Sequence, residues 1–428
     1  MEQAQQRSPW WWVPTLYFGQ AIPYVVVMTL SVVMYKNLDV SNTDIALYTG
    51  WLYLPWVIKP LWSPLVELLR TRRLWIVGMQ LALGAALALV ALTTSLPQFF
   101  QLSLAVFWLM AFSSATHDIA ADGFYMLGLP QHQQAAFVGV RSTFYRLAMI
   151  AGQGGLVYLA GKLAEGTGNV RLAWSVVFFV LAALFVLLFA YHQLMLPRPA
   201  ADRPPVAGGA LMHDFFATFK SFFRKPGIAV ILGFLLLFRL GEAQLLKLAV
   251  PFLLDPVDKG GLGLTTAQVG LVYGTIGVLA LTAGGLLGGL AVARFGLKRC
   301  LWGMVLAVHV PDLVFVYLAS ALPQNVYLIG ASLALEQLGY GYGFAAYLMY
   351  MIMVAEGEHK TAHYAICTGF MALGMMLPGM ASGWIQQRLG YQHFFIWVCV
   401  ATVPAFIMAA LVKIDPQFGR KQAPAALQ

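Results

Sequence analysis

Charge is what this chain has least of. Asp, Glu, Lys and Arg make up 10% of its 428 residues, and hydrophobic residues make up 60%. A soluble domain carries about 25% charged residues. No single soluble core hides that much apolar surface, so the composition excludes a soluble enzyme or a soluble binding module. It leaves an all-α protein that crosses a membrane many times. Acidic residues are scarcer than basic ones, 17 against 26, for a formal net charge of +9. On a soluble protein that surplus would point to nucleic acid. In a membrane chain the positions of Lys and Arg report topology instead, and no nucleic-acid partner is expected.

Cysteine is scarce as well. The three present, Cys300, Cys367 and Cys399, are odd in number, and no pair has redox or metal-ligand spacing. They read as small apolar packers. No His/Cys cluster points to a metal, and no cofactor is expected. No hydrophilic segment is large enough for a catalytic domain, so the chain is not read as an enzyme. A signal peptide is not read either. The first apolar stretch begins at Trp10, outruns a signal h-region and has no small-residue cleavage site, and is expected to be an uncleaved span.

What the sequence has in abundance is long apolar runs. Stretches of about 20 or more apolar residues lie near 11–35, 44–66, 74–95, 99–127, 136–161 and 173–196, then near 227–254, 266–292, 299–321, 325–354, 361–388 and 392–413. The expectation is twelve transmembrane helices in two six-helix bundles, 1–196 and 227–428. Between them, 197–226 opens with the linker "PRPAADRPPVAGGA". It continues with Leu211, Phe215, Phe219 and Phe222 at helical spacing beside Lys220, Arg224 and Lys225, as in an amphipathic helix on a membrane surface. With the N-terminus inside, the cytoplasmic segments hold Arg7, Arg70, Arg72, Arg73, Arg198, Arg203, Lys220, Arg224, Lys225, Arg294, Lys298, Arg299, Lys360, Lys413, Arg420 and Lys421. The far side holds only Lys36, Lys162, Arg171, Lys259 and Arg388. This asymmetry places both termini in the cytoplasm.

The two halves echo each other. "YFGQAIPY" in the first span and "FRLGEAQLLKLAVPF" in the seventh each place a polar residue, Gln20 or Glu242, after a glycine. The loops after the second and eighth spans, "ELLRTRR" and "ARFGLKR", both end in a basic pair. Repeated bundles of this kind bind substrate between them near the bilayer midplane. The longer stretch "GGLAVARFGLKR" resembles the cytoplasmic loop of the major facilitator superfamily at Gly289, Arg294, Gly296, Lys298 and Arg299, with Ala293 where the family has an acid. In the first loop Glu67 replaces the Asp, Arg70 replaces the glycine, and Arg72 and Arg73 supply the basic pair. The resemblance implies that both loops take part in switching the halves. "THDIAADGFYM", "FRLGEA…PFLLD" and "LEQLGYGYGFAAYLM" resemble the AmpG-type muropeptide permeases and the related acetyl-CoA transporters. Asp118, Ile119 and Asp122 match that branch's "QDI-x-x-D", with His117 for Gln. The resemblance implies a secondary transporter of the bacterial inner membrane. It would move an anionic, sugar-containing solute by alternating access with proton coupling, and is expected to act as a monomer.

The residues themselves frame the chemistry. Charged groups at the centre of a bilayer cost about 2.5–3.5 kcal/mol each on insertion scales. Asp118 and Asp122 are four apart, on one helix face. Repulsion and desolvation make it costly for both to be ionised, so one of them, aided by His117, can carry a coupling proton. Glu242 and Glu336 are the other proton candidates. Arg141 and Arg146 lie about 140° apart on their helix, and Arg146, the deeper one, is the better anion ligand or Asp118 partner. Arg239 and Glu242 can pair on one helix, and Lys247 follows on the same span. Arg146, Arg141, Arg239, Lys247 and Gln20 are the candidate substrate ligands, with Tyr17, Tyr24, Tyr340 and Tyr342 to stack on sugar rings. Lys59 beside Pro60 reads as a side chain that snorkels, and His309 and Asp312 astride Pro311 read as structural. "GYGYG" continues a long apolar helix and reads as close-packing glycines rather than an ion filter, and "GGLLGG" is not a phosphate loop, since no Gly-Lys-Ser/Thr follows. A different substrate class (oligosaccharide, siderophore or acyl-CoA), a channel, and an acyltransferase centred on His117 remain as alternatives.

Overall fold

The computed structural model describes residues 8–200, 202, 217–357 and 360–419. Its regular elements are helices throughout, as the apolar runs require. In lipid a spanning segment must satisfy its own backbone, which a helix does. Ten helices among the described residues are long and apolar enough to cross a membrane. The difference from twelve has two local causes. The second expected span is broken into Asn42–Trp51 and Leu54–Leu69, each short of a crossing. Pro55 sits at the start of the latter, where its missing N–H costs nothing. At the other end, the last two expected spans join in one tract, Ala362–Leu411, of 50 residues. At 1.5 Å per residue that tract is about 75 Å long, enough for two crossings of a ~30 Å hydrocarbon layer. It turns at Gly390, whose φ of 72° is one a glycine takes without strain.

The chain divides into two compact units, residues 1–216 with 265–274, and residues 217–264 with 275–428. In the first unit Arg72–Thr93 packs against both Phe99–Gly128 and Val170–Met195. One core gathers around Trp12, Tyr17, Ile76 and Phe124. The basic loop ahead of Arg72 is pinned by a residue far along the chain. Asp202 accepts hydrogen bonds from the backbone N–H groups of Arg72 (2.8 Å) and Arg73 (3.0 Å). Thr71 caps the same helix by accepting from Leu74 N–H at 3.2 Å. A carboxylate on the first N–H groups of a helix also answers the positive end of its dipole. Arg73 in turn donates to the carbonyl of Gln193. The side chain of Glu67 lies outside the described residues.

In the second unit the glycine motifs act as spacers removed. Val326–Ala355 lies against Val278–Phe295 on one side and Leu297–His309 on the other. A Cβ on Gly341 would stand 2.1 Å from Leu281 O, and one on Gly284 would stand 2.1 Å from Leu338 O. On the opposite side, a Cβ on Gly339 or Gly343 would stand 2.3 or 2.2 Å from the carbonyls of Ala307 or Met304. The reading of Gly339, Gly341 and Gly343 as close packers fits these approaches, and Gly284 adds one the sequence reading does not include. The second basic loop is held through its backbone. Gly296 has φ 83° and ψ 154°, a conformation that disfavours a side chain, and Leu297 N–H donates to Phe418 O at 3.1 Å. Arg294, Lys298 and Arg299 are exposed around it.

Leu211 and Phe215 of the expected surface helix lie outside the described residues, as do Arg7, Arg203, Arg420 and Lys421. Residues 217–223 are helical. Phe222 is fully buried in the second unit's core, stacked on Phe370 at 6.5 Å, and Phe219 packs beside it. Part of that apolar face thus meets protein.

Candidate functional site

Each unit holds its own cluster of membrane-depth charge. In the first, Asp118 and Asp122 project from Phe99–Gly128, one helical turn apart. Their partners differ. Asp118 Oδ2 lies 3.6 Å from Lys59 Nζ and accepts from Trp56 Nε1 at 3.2 Å, and Gln20 also bonds to it. Asp122 Oδ1 lies 3.0 Å from Arg141 Nη2 and accepts from the Tyr17 hydroxyl at 3.2 Å. The Arg141 guanidinium sits 4.4 Å from the Tyr17 ring centroid and 5.5 Å from that of Tyr125, within cation–π range. Tyr24 meets Trp56 edge-on at 5.3 Å. The two carboxylates are thus each matched by a cation, which offsets the insertion cost that made them conspicuous.

The ion pair seen at Asp118 is made by Lys59, which the sequence left as a snorkelling side chain. Lys59 is on Leu54–Leu69, distant in sequence, so helical spacing gave no hint of the pair. Arg146 is half-buried on Gln131–Ile150.

His117 belongs to a different network. Thr15 Oγ1 lies 3.0 Å from His192 Nε2, His192 Nδ1 lies 3.0 Å from Gln80 Oε1, and Gln80 Nε2 lies 3.2 Å from His117 Nε2. The amide fixes the direction. Its oxygen accepts from His192 Nδ1–H, so His192 Nε2 accepts from the Thr15 hydroxyl, and its NH₂ donates to His117. His117, Gln80 and His192 are all buried. The chain ties together four helices of the first unit, Val13–Val25, Arg72–Thr93, Phe99–Gly128 and Val170–Met195. Sequence reasoning missed Gln80 and His192, although each stands out as a polar residue inside an apolar span.

In the second unit two helices break at one level. The first break separates Ile228–Leu237 from Leu240–Leu254, and the second separates Leu297–His309 from Leu313–Ala321. Arg239 sits in the first break at φ −107° and ψ 19°, off the helix. Its charge still acts on Glu242. The Arg239 guanidinium donates to the Tyr340 hydroxyl and lies 4.9 Å from the Phe344 ring centroid. Among the described residues no hydrogen bond reaches either carboxylate oxygen of Glu242. Glu242 instead stands with Asp312 and Glu336, with ligand oxygens from all three within 4.8 Å of one another. All three are buried, at 0%, 1% and 0% exposure. Gln337 donates to Glu336 Oε2 at 2.9 Å. His309 Nδ1 lies 3.9 Å from Asp312 Oδ2. The pair read as structural from the sequence thus joins the two glutamates that were not. Lys247 is buried lower on Leu240–Leu254, Tyr340 faces Arg239, and Tyr342 packs at the edge of the core.

The model of the Major Facilitator Superfamily matches residues 15–308. The chain belongs to that superfamily. Among its superfamily relatives, the anhydromuropeptide permease of Escherichia coli (strain K12) is 27% identical over 391 residues, covering 90% of this chain and 75% of that protein. A Rickettsia conorii protein whose name carries AmpG is 25% identical over 405 residues, covering 90% and 92%. Among solved superfamily folds, a bacterial homologue of the human lysosomal transporter Spinster superposes with a TM-score of 0.68 at 16% identity, covering 96% of both chains. The nucleoside transporter NupG superposes with a TM-score of 0.64 at 16% identity, covering 94% of this chain and 98% of that one. At those identities the structures speak for the superfamily fold alone.

Proposed function

We propose that the chain is a proton-coupled secondary transporter. It takes up an anionic, sugar-containing solute of the muropeptide kind by alternating access, and acts as a monomer in the bacterial inner membrane with both termini in the cytoplasm. The observation that carries this reading is the Asp118–Lys59 and Asp122–Arg141 pairing in a unit whose relatives include an anhydromuropeptide permease. Each cation is held by a carboxylate. Protonating Asp118 or Asp122 releases Lys59 or Arg141 for an anionic substrate, so proton and substrate loading share the same residues. Trp56, half-buried and bonded to Asp118, offers a flat face of the kind sugar rings pack on, and Tyr17 would offer one only when Arg141 leaves its ring. Arg146, Gln20 and Tyr24 complete the first unit's contribution. Arg239, Lys247, Tyr340 and Tyr342 are the second unit's candidates. No catalytic step is invoked.

The test is uptake of a labelled anhydromuropeptide into proteoliposomes with an imposed pH gradient, with counterflow as the energy-independent control. Asp118→Asn should abolish uphill accumulation and keep counterflow. Normal, pH-driven concentration by that variant would reject Asp118 as the proton carrier. A failure of the unmutated protein to exchange muropeptides, while exchanging oligosaccharides, siderophores or CoA esters, would reassign the substrate. A lack of counterflow with every solute would reject the carrier mechanism in favour of a channel or an acyltransferase.

A further inference from the structure

We infer that Glu242, Asp312 and Glu336 form a cation-binding centre in the second unit that takes one hard, oxygen-preferring metal ion. The geometry fits such an ion. Oxygens that share a cation at bonds of about 2.3–2.6 Å lie up to roughly 5 Å apart, and the three carboxylates offer oxygens all within 4.8 Å of one another. Both oxygens of Glu242, both of Asp312 and Oε1 of Glu336 receive no hydrogen bond among the described residues. Buried carboxylates without partners are costly, and a metal ion can share one oxygen from each of the three.

A second observation points the same way. His309 is 4% exposed, and beyond a loose contact with the Phe238 backbone neither of its ring nitrogens makes a hydrogen bond among the described residues. Its Nδ1 faces Asp312 Oδ2 at 3.9 Å, and its ring is clamped between Phe238 and Phe406 at 5.5 and 5.6 Å. A buried imidazole beside a candidate ligand carboxylate stands where an outer-shell partner would orient that ligand, one short movement from a hydrogen bond.

The helix breaks add the electrostatics. Glu242 is in the first turn of Leu240–Leu254, and Asp312 is the residue before Leu313–Ala321. Helix N-termini favour the ionised carboxylate, the form that binds a cation. Arg239 supplies one positive charge within range of Glu242, short of the three negative charges the cluster can carry. Broken helices at membrane depth are where coupling cations bind in other transporter folds, and an all-carboxylate donor set selects hard ions over soft ones.

The test uses the full chain in lipid nanodiscs, stripped with chelator. Calorimetric titrations with CaCl2, MgCl2, MnCl2 and NaCl are run against choline chloride at matched ionic strength. At least one of the four ions should bind at one per chain, and Asp312→Asn and Glu336→Gln should weaken it about tenfold or more. Asp118→Asn should leave it unchanged, which separates this centre from the proton site proposed in the first unit. Should the second-unit variants fail to fold, infrared difference spectra of the unmutated protein carry the test. The ion should shift carboxylate stretching bands. Absence of binding by all four ions, binding without a carboxylate band shift, or binding lost only in Asp118→Asn would each overturn the assignment. The first outcome would leave the cluster a store for protons alone.

Discussion

Gln80 is a single amide that keeps two histidines satisfied inside lipid-depth protein. Replacing it with leucine preserves size and removes both of its bonds. The orphaned nitrogens of His117 and His192 should then cost about 1–3 kcal/mol each. Gln80→Leu should lower the thermal unfolding midpoint in nanodiscs while leaving substrate Kd within about twofold. A Kd change with no stability change would move His117 from scaffold to site. The Lys59–Asp118 pair has its own signature. In a double-mutant cycle, Lys59→Ala and Asp118→Asn should couple by about 0.5–3 kcal/mol, read from thermal unfolding, whereas a Lys59 that snorkels away would give additive effects. At this scale the sequence announced which residues were odd but not whom they met. His117, Asp118 and Glu336 stood out against apolar neighbours. Their partners, Gln80, Lys59 and Asp312, come from other helices, and one chain without helix packing carries no record of such distances.

Elements were legible wherever local chemistry punctuates them. Gly390 lies between the expected spans 361–388 and 392–413 and turns the last long tract, whereas the break at Pro311 falls inside the expected span 299–321. The break at Phe238–Arg239 has neither glycine nor proline, and the sequence reading ran a helix straight through it. The "GYGYG" stretch is legible as a packing motif because only missing side chains let two helix backbones touch. Gly341→Ala should therefore destabilise the protein by about 1–3 kcal/mol or more, since its Cβ would press a backbone carbonyl that cannot move aside. Gly303→Ala, with nothing within 4 Å of the added carbon, should be neutral or stabilise by up to about 1 kcal/mol through helix propensity. Comparing the two thermal midpoints separates packing from propensity. Equal shifts would mean that the close approach has no energetic weight.

For the whole molecule, hydropathy carried the fold class, because a bilayer allows few architectures, and the loop residues Gly289, Arg294, Gly296, Lys298 and Arg299 carried the resemblance to the superfamily. Tags at residues 3, 210 and 425 should all be accessible from the cytoplasm, and a tag at residue 165 from the far side. A tag at 210 labelled from outside would overturn the orientation. The alternation of Gly339, Gly341 and Gly343 also bears on kinetics. Residues two apart on a helix point in nearly opposite directions, so this short stretch has neighbouring backbone pressed on both sides with no flexible side chain between. Amide protons there can reach solvent only when three helices part together. They should be among the slowest in the protein to exchange with deuterium, and any rearrangement that moves this region must carry the three helices as one stiff piece.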